Sequence, residues 1–237
     1  MEQQKEASTL GMWTFLLTEI LFFGGLFMAY MLYRIWYHDA FAAASRTLDL
    51  RWGGLNTVVL IASSLTMALG VRSAQLNRRK PLLLWLLATV VLGSVFLGVK
   101  VIEYSDKFEH HHVPGPNFVW ESHEAAPAGE HQLGGGGPVT EPGRAASESA
   151  GHAPAASNPQ FQQWTQIYFS LYFTMTGLHA LHMIVGIVLM SVIAWMAWMG
   201  RFDDHYYTPV EMSGLYWHFV DIVWIYLFPL LYLIDRS

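Results

Sequence analysis

The chain of 237 residues has no cysteine. That absence excludes a disulfide framework, a thiolate-held iron–sulfur cluster, a Cys-x-x-Cys-His haem attachment and a Cys-bridged copper centre. Charge is scarce too. Asp, Glu, Lys and Arg make up 13% of the residues and avoid long stretches of the chain. The net charge of −5 is modest and the basic residues are scattered, which argues against nucleic acid as a partner. Apolar residues, by contrast, make up 53% of the chain and aromatics 15%, with ten Trp, eleven Tyr and fourteen Phe. This exceeds the apolar share of an average soluble domain, and together with the uncharged runs it identifies a membrane protein.

A bilayer-spanning helix needs about 20 mostly apolar residues. Five segments meet that length, at about 11–36, 53–75, 81–104, 162–199 and 209–235. The fourth has no Asp, Glu, Lys or Arg from Trp164 to Met199, and is long enough for one tilted helix but too short for two and a turn. Pro81 is well placed to start the third. The expected fold is all-α: one membrane domain over 1–237, a multi-pass bundle of five spanning helices with one long flexible extramembrane loop. The acidic start, MEQQKEAST, and the lack of a small-residue cleavage site predict that the first segment stays as an anchor.

Residues 109–160 are of different material: HHHVPGPN, then GGGGP, then Ala, Ser, Pro and Glu. Such a stretch buries too little apolar surface to fold alone and is expected to be flexible. Its His110, His111, His112, His123, His131 and His152 suggest metal binding by composition, but no fixed ligand spacing supports it, so no metal site is assigned. Arg72, Arg78, Arg79 and Lys80 form the densest basic cluster, which the positive-inside rule places inside. Five spans then put the N-terminus inside, and the C-terminus and the 104–163 loop outside. Arg46 and Arg51 fall outside against the rule.

Ionisable groups within spans are costly and usually functional. Glu19 lies in the first segment. His179 and His182 lie three apart on the fourth, and His218 and Asp221 three apart on the fifth, so each pair is expected on one face. Lys100 and Glu103 repeat the spacing at the end of the third. Three readings compete: a proton or ion path, redox ligation, and polar groups that lock helices to each other, to lipid or to a partner. Redox ligation is weak, because a haem–copper centre needs several His on facing helices. A transporter lacks its matching pair of broken segments. The locking role is favoured for His179, His182 and His218, whereas Glu19 stays open between function and structure. Gly24, Gly25, Ala62, Ser63, Ser64, Gly93, Gly98, Gly177 and Gly186 are expected to permit close helix packing. Tyr30, Tyr33, Trp36 and Tyr37 are expected to form one interfacial aromatic belt, and Trp195 and Trp198 another.

Five runs carry a resemblance. TEILFFGGLFMAY (Thr18–Tyr30) resembles the Glu-bearing helix of subunit III of the haem–copper cytochrome oxidases. LNTVVLIASS (Leu55–Ser64) resembles the next helix, GVKVIEYSDKF (Gly98–Phe108) the helix end with its Glu-Tyr pair, and TGLHALHMIVG (Thr176–Gly186) the His-x-x-His helix. GLYWHFVDIVWIYLFPLLYL (Gly214–Leu233) keeps that family's Trp-His-Phe-Val-Asp core. The five follow the family's order and cover all five spans. Larger members have seven helices, so the chain resembles the short bacterial form. Its His- and Gly-rich loop is not part of the family pattern.

The resemblance implies a non-redox subunit of a proton-pumping cytochrome c oxidase in a bacterial inner membrane. Such a subunit has no catalytic residue, haem or copper of its own, the haem and copper residing in partner subunits. It would pack mainly on subunit I, beside subunit II and other respiratory subunits, bind phospholipid, and support proton uptake and turnover stability. Glu19 would be the family's carbodiimide-reactive carboxylate. His179, His182, His218, Asp221 and Glu103 would be helix-locking polar groups. Arg201 is a candidate lipid-phosphate partner, as a cation at the inner interface. The alternatives are subunit III of a quinol oxidase, an accessory protein of nitric oxide reductase, and a free-standing proton channel gated by Glu19. Glu at position 19 leans toward the cytochrome c branch, because some quinol-oxidase relatives carry Asp there.

Overall fold

A computed structural model describes residues 2–46, 48–109, 159–202 and 207–233. The described chain is helical: α1 (Glu2–Trp36), α2 (His38–Arg46), α3 (Leu50–Gln75), α4 (Arg79–Glu109), α5 (Pro159–Trp198) and α6 (Thr208–Phe228), the last continued by a π-turn over Pro229–Leu233. Five of these helices are long and apolar enough to cross a membrane, all but the short α2. In hydrocarbon every backbone N–H and C=O must be paired within the segment, and an uninterrupted helix does that. The fourth apolar segment is a single helix of 40 residues. The flexible loop expected over 109–160 lies almost entirely outside the described residues, as do its histidines. Its edges, Glu109 and residues 159–160, are helical.

The helix ends at the α3–α4 turn and after α5 have clear causes. Asn77 takes φ 52° and Gly200 φ 72°, the left-handed conformation that closes a helix. Arg78 N–H donates to Ser73 C=O at 3.0 Å and Arg201 N–H to Met196 C=O at 3.1 Å, satisfying carbonyls that the helix leaves open. Arg79 donates from Nη2 to Gly200 C=O at 3.0 Å, tying the α3–α4 turn to the end of α5. At the other end of α6, Pro229 supplies no N–H, and the backbone widens into the π-turn. Tyr168 Oη donates to Leu231 C=O there at 3.2 Å.

Helix α6 is the axis of the bundle. Of its span 56% is buried, against 17% for α1. It packs on α1, α3 and α5, while α3 pairs with α4 and α4 with α5. Trp217 shows why. It is fully buried, and its indole N–H donates to Ser63 Oγ on α3 at 3.0 Å. A Cβ on Gly93 of α4 would stand 2.7 Å from its ring, and one on Gly186 of α5 2.9 Å. One indole thus fills a socket that two glycines, on two different helices, leave open.

Two expectations change. Gly24, Gly25, Gly98 and Gly177 have nothing within 4 Å of where a Cβ would stand, so they bring no helix close within the chain. Tyr30 is not at an interfacial belt. It is buried against Phe41 and Tyr168, because α2 folds back beneath the end of α1 and covers it. Tyr37 instead stacks on Trp164 of α5 with ring centroids 3.5 Å apart.

Candidate functional site

The ionisable side chains of the spans fall into three places. The first joins α1 to α5. Glu19 Oε2 lies 3.1 Å from His182 Nε2, with the two side chains 20% and 17% exposed. The other ring nitrogen, Nδ1, lies 2.8 Å from Leu178 C=O, a carbonyl one turn earlier on the same helix. A carbonyl only accepts, so Nδ1 carries a hydrogen and fixes the ring's tautomer. A neutral ring then has no hydrogen on Nε2. At Nε2 a neutral ring can accept from a carboxylic acid, and an imidazolium can donate to a carboxylate. Phe23 packs edge-on to the ring, and Tyr216 Oη donates to His182 C=O at 3.0 Å. Glu19 has a partner in the chain, which its isolation in an apolar run did not suggest.

The second place lies between α4, α5 and the π-turn. Lys100 Nζ donates to Glu103 Oε2 at 2.7 Å, and both side chains are buried. Tyr172 Oη donates to Glu103 Oε1 at 2.8 Å, and Tyr232 Oη donates to the same oxygen. Lys100 also reaches Tyr232 Oη at 2.8 Å and stands 4.5 Å over the Trp224 ring. Tyr104 Oη donates to Thr176 Oγ1 at 2.7 Å nearby. The charges are thus paired, hydrogen-bonded and enclosed. Tyr172 and Tyr232 carry no motif of their own; only their depth in apolar helices could have marked them.

The third place is the rest of α5 and α6. His179, three residues before His182, does not share its surroundings. A spacing of three turns a helix by 300°, enough to aim His179 between Phe96 and Trp224 while His182 meets α1. His179 is buried with neither ring nitrogen hydrogen-bonded among the described residues, and the same holds for both oxygens of Asp221 and the amide of Asn56. His218 and Asp221 also part. The Ser64 hydroxyl stands beside Asp221, but its short contact, 2.7 Å, is to His218 Nδ1. Arg201, the expected lipid partner, is exposed at the end of α5. Among the described residues no group of three or more His, Asp or Glu converges to hold a metal.

Fold and site together define a multi-pass helical membrane protein with one enclosed ion pair, Lys100–Glu103, and one partly exposed carboxyl–imidazole pair, Glu19–His182, among its spanning helices. The family model for cytochrome c oxidase subunit III matches residues 155–235. The chain is similar to cytochrome c oxidase subunit 3 of Thermostichus vulcanus, with 29% identity over 96% of this chain and 87% of that one. It is also similar to cytochrome bo(3) ubiquinol oxidase subunit 3 of Pseudomonas aeruginosa, with 26% identity over 94% and 83%. Cytochrome c oxidase subunit 3 of Alkalihalophilus pseudofirmus is 26% identical over 94% and 85%. These matches support a likeness to subunit III of the haem–copper oxidases along nearly the whole chain.

Proposed function

We propose that this chain is the non-redox third subunit of a proton-pumping cytochrome c oxidase of a bacterial inner membrane. In this reading it packs on the haem- and copper-bearing subunit I, binds phospholipid in the bilayer, and supports proton uptake and the durability of turnover. Its N-terminus lies inside, and its C-terminus and the 104–163 segment outside. The observation that supports the proton-related part is the Glu19–His182 pair, a carboxyl 3.1 Å from an imidazole nitrogen at a partly exposed site. A carbodiimide activates a carboxyl in its protonated form, and a carboxyl beside an imidazole can draw that proton from its partner. Relatives are named both for cytochrome c and for quinol oxidases; Glu rather than Asp at position 19 favours the former.

The test is purification of the full chain in mild detergent from its own membranes, with a reduced-minus-oxidised spectrum and identification of its companions. An a-type haem signal with a copper-bearing subunit supports the reading. A copper-free quinol-oxidising complex moves the chain to the quinol branch. A colourless, solitary protein overturns the reading in favour of a free-standing channel, which would conduct protons in liposomes.

A further inference from the structure

The outward faces of a membrane protein meet either lipid or another protein, and the polar groups on those faces tell the two apart. Hydrocarbon offers no hydrogen bond, so a polar group that faces lipid must be satisfied by its own helix. Most of those here are. Thr14 donates to Leu10 C=O, Ser94 to Val90 C=O, Thr174 to Ser170 C=O and Ser191 to Ile187 C=O, each one turn back on its own helix. His182 has both ring nitrogens engaged.

His218 differs. It is half-buried in the groove between α3 and α6, where Nδ1 meets Ser64 Oγ at 2.7 Å. Nε2 has no hydrogen-bond partner among the described residues, its own helix included. His218 is ten residues into α6, about 15 Å from its start at 1.5 Å per residue, and so near the middle of a hydrocarbon layer about 30 Å thick. Ser64 lies at the middle of α3, and Asp221 is buried one turn further along α6. Around this polar point the surface is apolar and outward-facing: Ile61 and Leu65 on α3, Ile222 and Ile225 on α6.

From this we infer that the α3–α6 groove is the seat of a membrane-spanning helix of another polypeptide, which brings a hydrogen-bonding side chain to His218 Nε2 at mid-bilayer depth. A hydroxyl, amide or carboxyl would serve, because the imidazole can donate or accept there once its partner fixes the tautomer. The occupant is a protein helix rather than an acyl chain because only the former carries such a group to that depth. The inference rests on the reading of this chain as a companion subunit and adds which face is joined. The outward α5 face presents Leu181, Ile184, Val185 and Val188, an apolar strip with no polar side chain among these four, and is left to lipid.

The experiment is site-specific photocrosslinking in native membranes that assemble the full chain. A benzophenone side chain replaces Ile61 or Ile222 on the groove, and Val188 on the α5 face. Protein adducts at Ile61 and Ile222, with none at Val188, are the expected result, with the adduct being a haem-bearing partner. Adducts to that partner at Val188 alone overturn the inference while leaving the companion-subunit reading intact. Adducts at no position, from a chain that purifies alone, overturn both. A groove adduct to a second copy of this chain overturns the inference as well. His218→Leu and His218→Gln add a second measurement. With Leu the partner should dissociate roughly three- to tenfold faster in detergent, as expected for one lost hydrogen bond, and Gln should restore retention. Equal retention in wild type and His218→Leu would overturn the role of Nε2.

Discussion

The Lys100–Glu103 pair makes a quantitative prediction, because its two members are not equally provided for. Replacing Lys100 with Met removes the ammonium, yet Glu103 keeps two hydroxyl donors, Tyr172 and Tyr232, on Oε1. The cost should lie at the lower end of what breaking a buried pair costs, about 3 kcal/mol. Replacing Glu103 with Gln strands the Lys100 ammonium, 3% exposed, with only Tyr232 Oη and the face of Trp224 as compensation. That change should cost more, about 5 kcal/mol. The double variant buries no charge, and its amide still accepts from the tyrosines, so its cost should fall to within about 1 kcal/mol of wild type. A chain of this size loses roughly 2–4 °C of melting temperature per kcal/mol, so the single variants should melt some 6–20 °C lower and the double variant close to wild type. The assay is thermal release of the chain from the detergent-solubilised complex, run as a double-mutant cycle. Additive costs would refute the reasoning, because they would mean that neither charge depends on the other. A Lys100→Met variant worse than Glu103→Gln would refute the assigned role of the tyrosines.

The Trp217 socket should be intolerant from both sides. Gly93→Ala and Gly186→Ala each place a methyl under 3.0 Å from a ring that cannot retreat, and should destabilise by about 1–3 kcal/mol in the same melting assay. Gly24→Ala, with open space around it, should be neutral in melting. Glu19→Gln should leave the complex assembled with its haems and remove carbodiimide inhibition or shorten sustained turnover; loss of haem would contradict a non-redox role. His182→Phe should change the rate of carbodiimide inactivation at Glu19, measured as activity against reagent exposure, since it removes the imidazole 3.1 Å from the carboxyl. Deleting 121–155, rich in Gly, Ala and Pro, should leave membrane insertion intact, checked by protease accessibility of the flanking segments.

The spans were legible because a bilayer imposes one period and one length on any sequence that crosses it. Trp164–Met199 could be read as one helix from its missing charges alone. Helix α2 was not legible, since its nine residues, HDAFAAASR, are too short and too weakly apolar to read as a span and take their place from packing on α5. Within the site, spacing correctly joined Lys100 to Glu103, which close their ion pair locally. Spacing failed for His179 and His182. Three residues keep two side chains on neighbouring faces of one helix, but which helix each face meets depends on the bundle. The partners of Glu103 were out of reach for the same reason, as Tyr172 and Tyr232 lie 69 and 129 residues away. Glycine was legible only where an aromatic ring enters, and no rule in the sequence separates Gly93 from Gly98.

The two ionisable pairs share their chemistry of a carboxyl with a base, and their settings assign them different work. Glu103 is enclosed, takes three donors and stands against an ammonium, so its oxygens are saturated and no exchange partner reaches them. A pair so placed can hold three helices together but has no free path by which a proton arrives or leaves. Glu19 and His182 are each about a fifth exposed, and the one further side-chain hydrogen bond of the pair among the described residues is that of His182 Nδ1 to the Leu178 carbonyl. A carboxyl and an imidazole so placed have the chemistry to exchange a proton, and their exposed edge leaves them open to a partner or to reagent. In the complete complex, proton-linked behaviour should therefore respond to changes at positions 19 and 182 and stay indifferent to the Lys100→Met, Glu103→Gln double variant. A double variant that melts normally yet abolishes carbodiimide sensitivity would show that the two sites are linked and that this division is wrong.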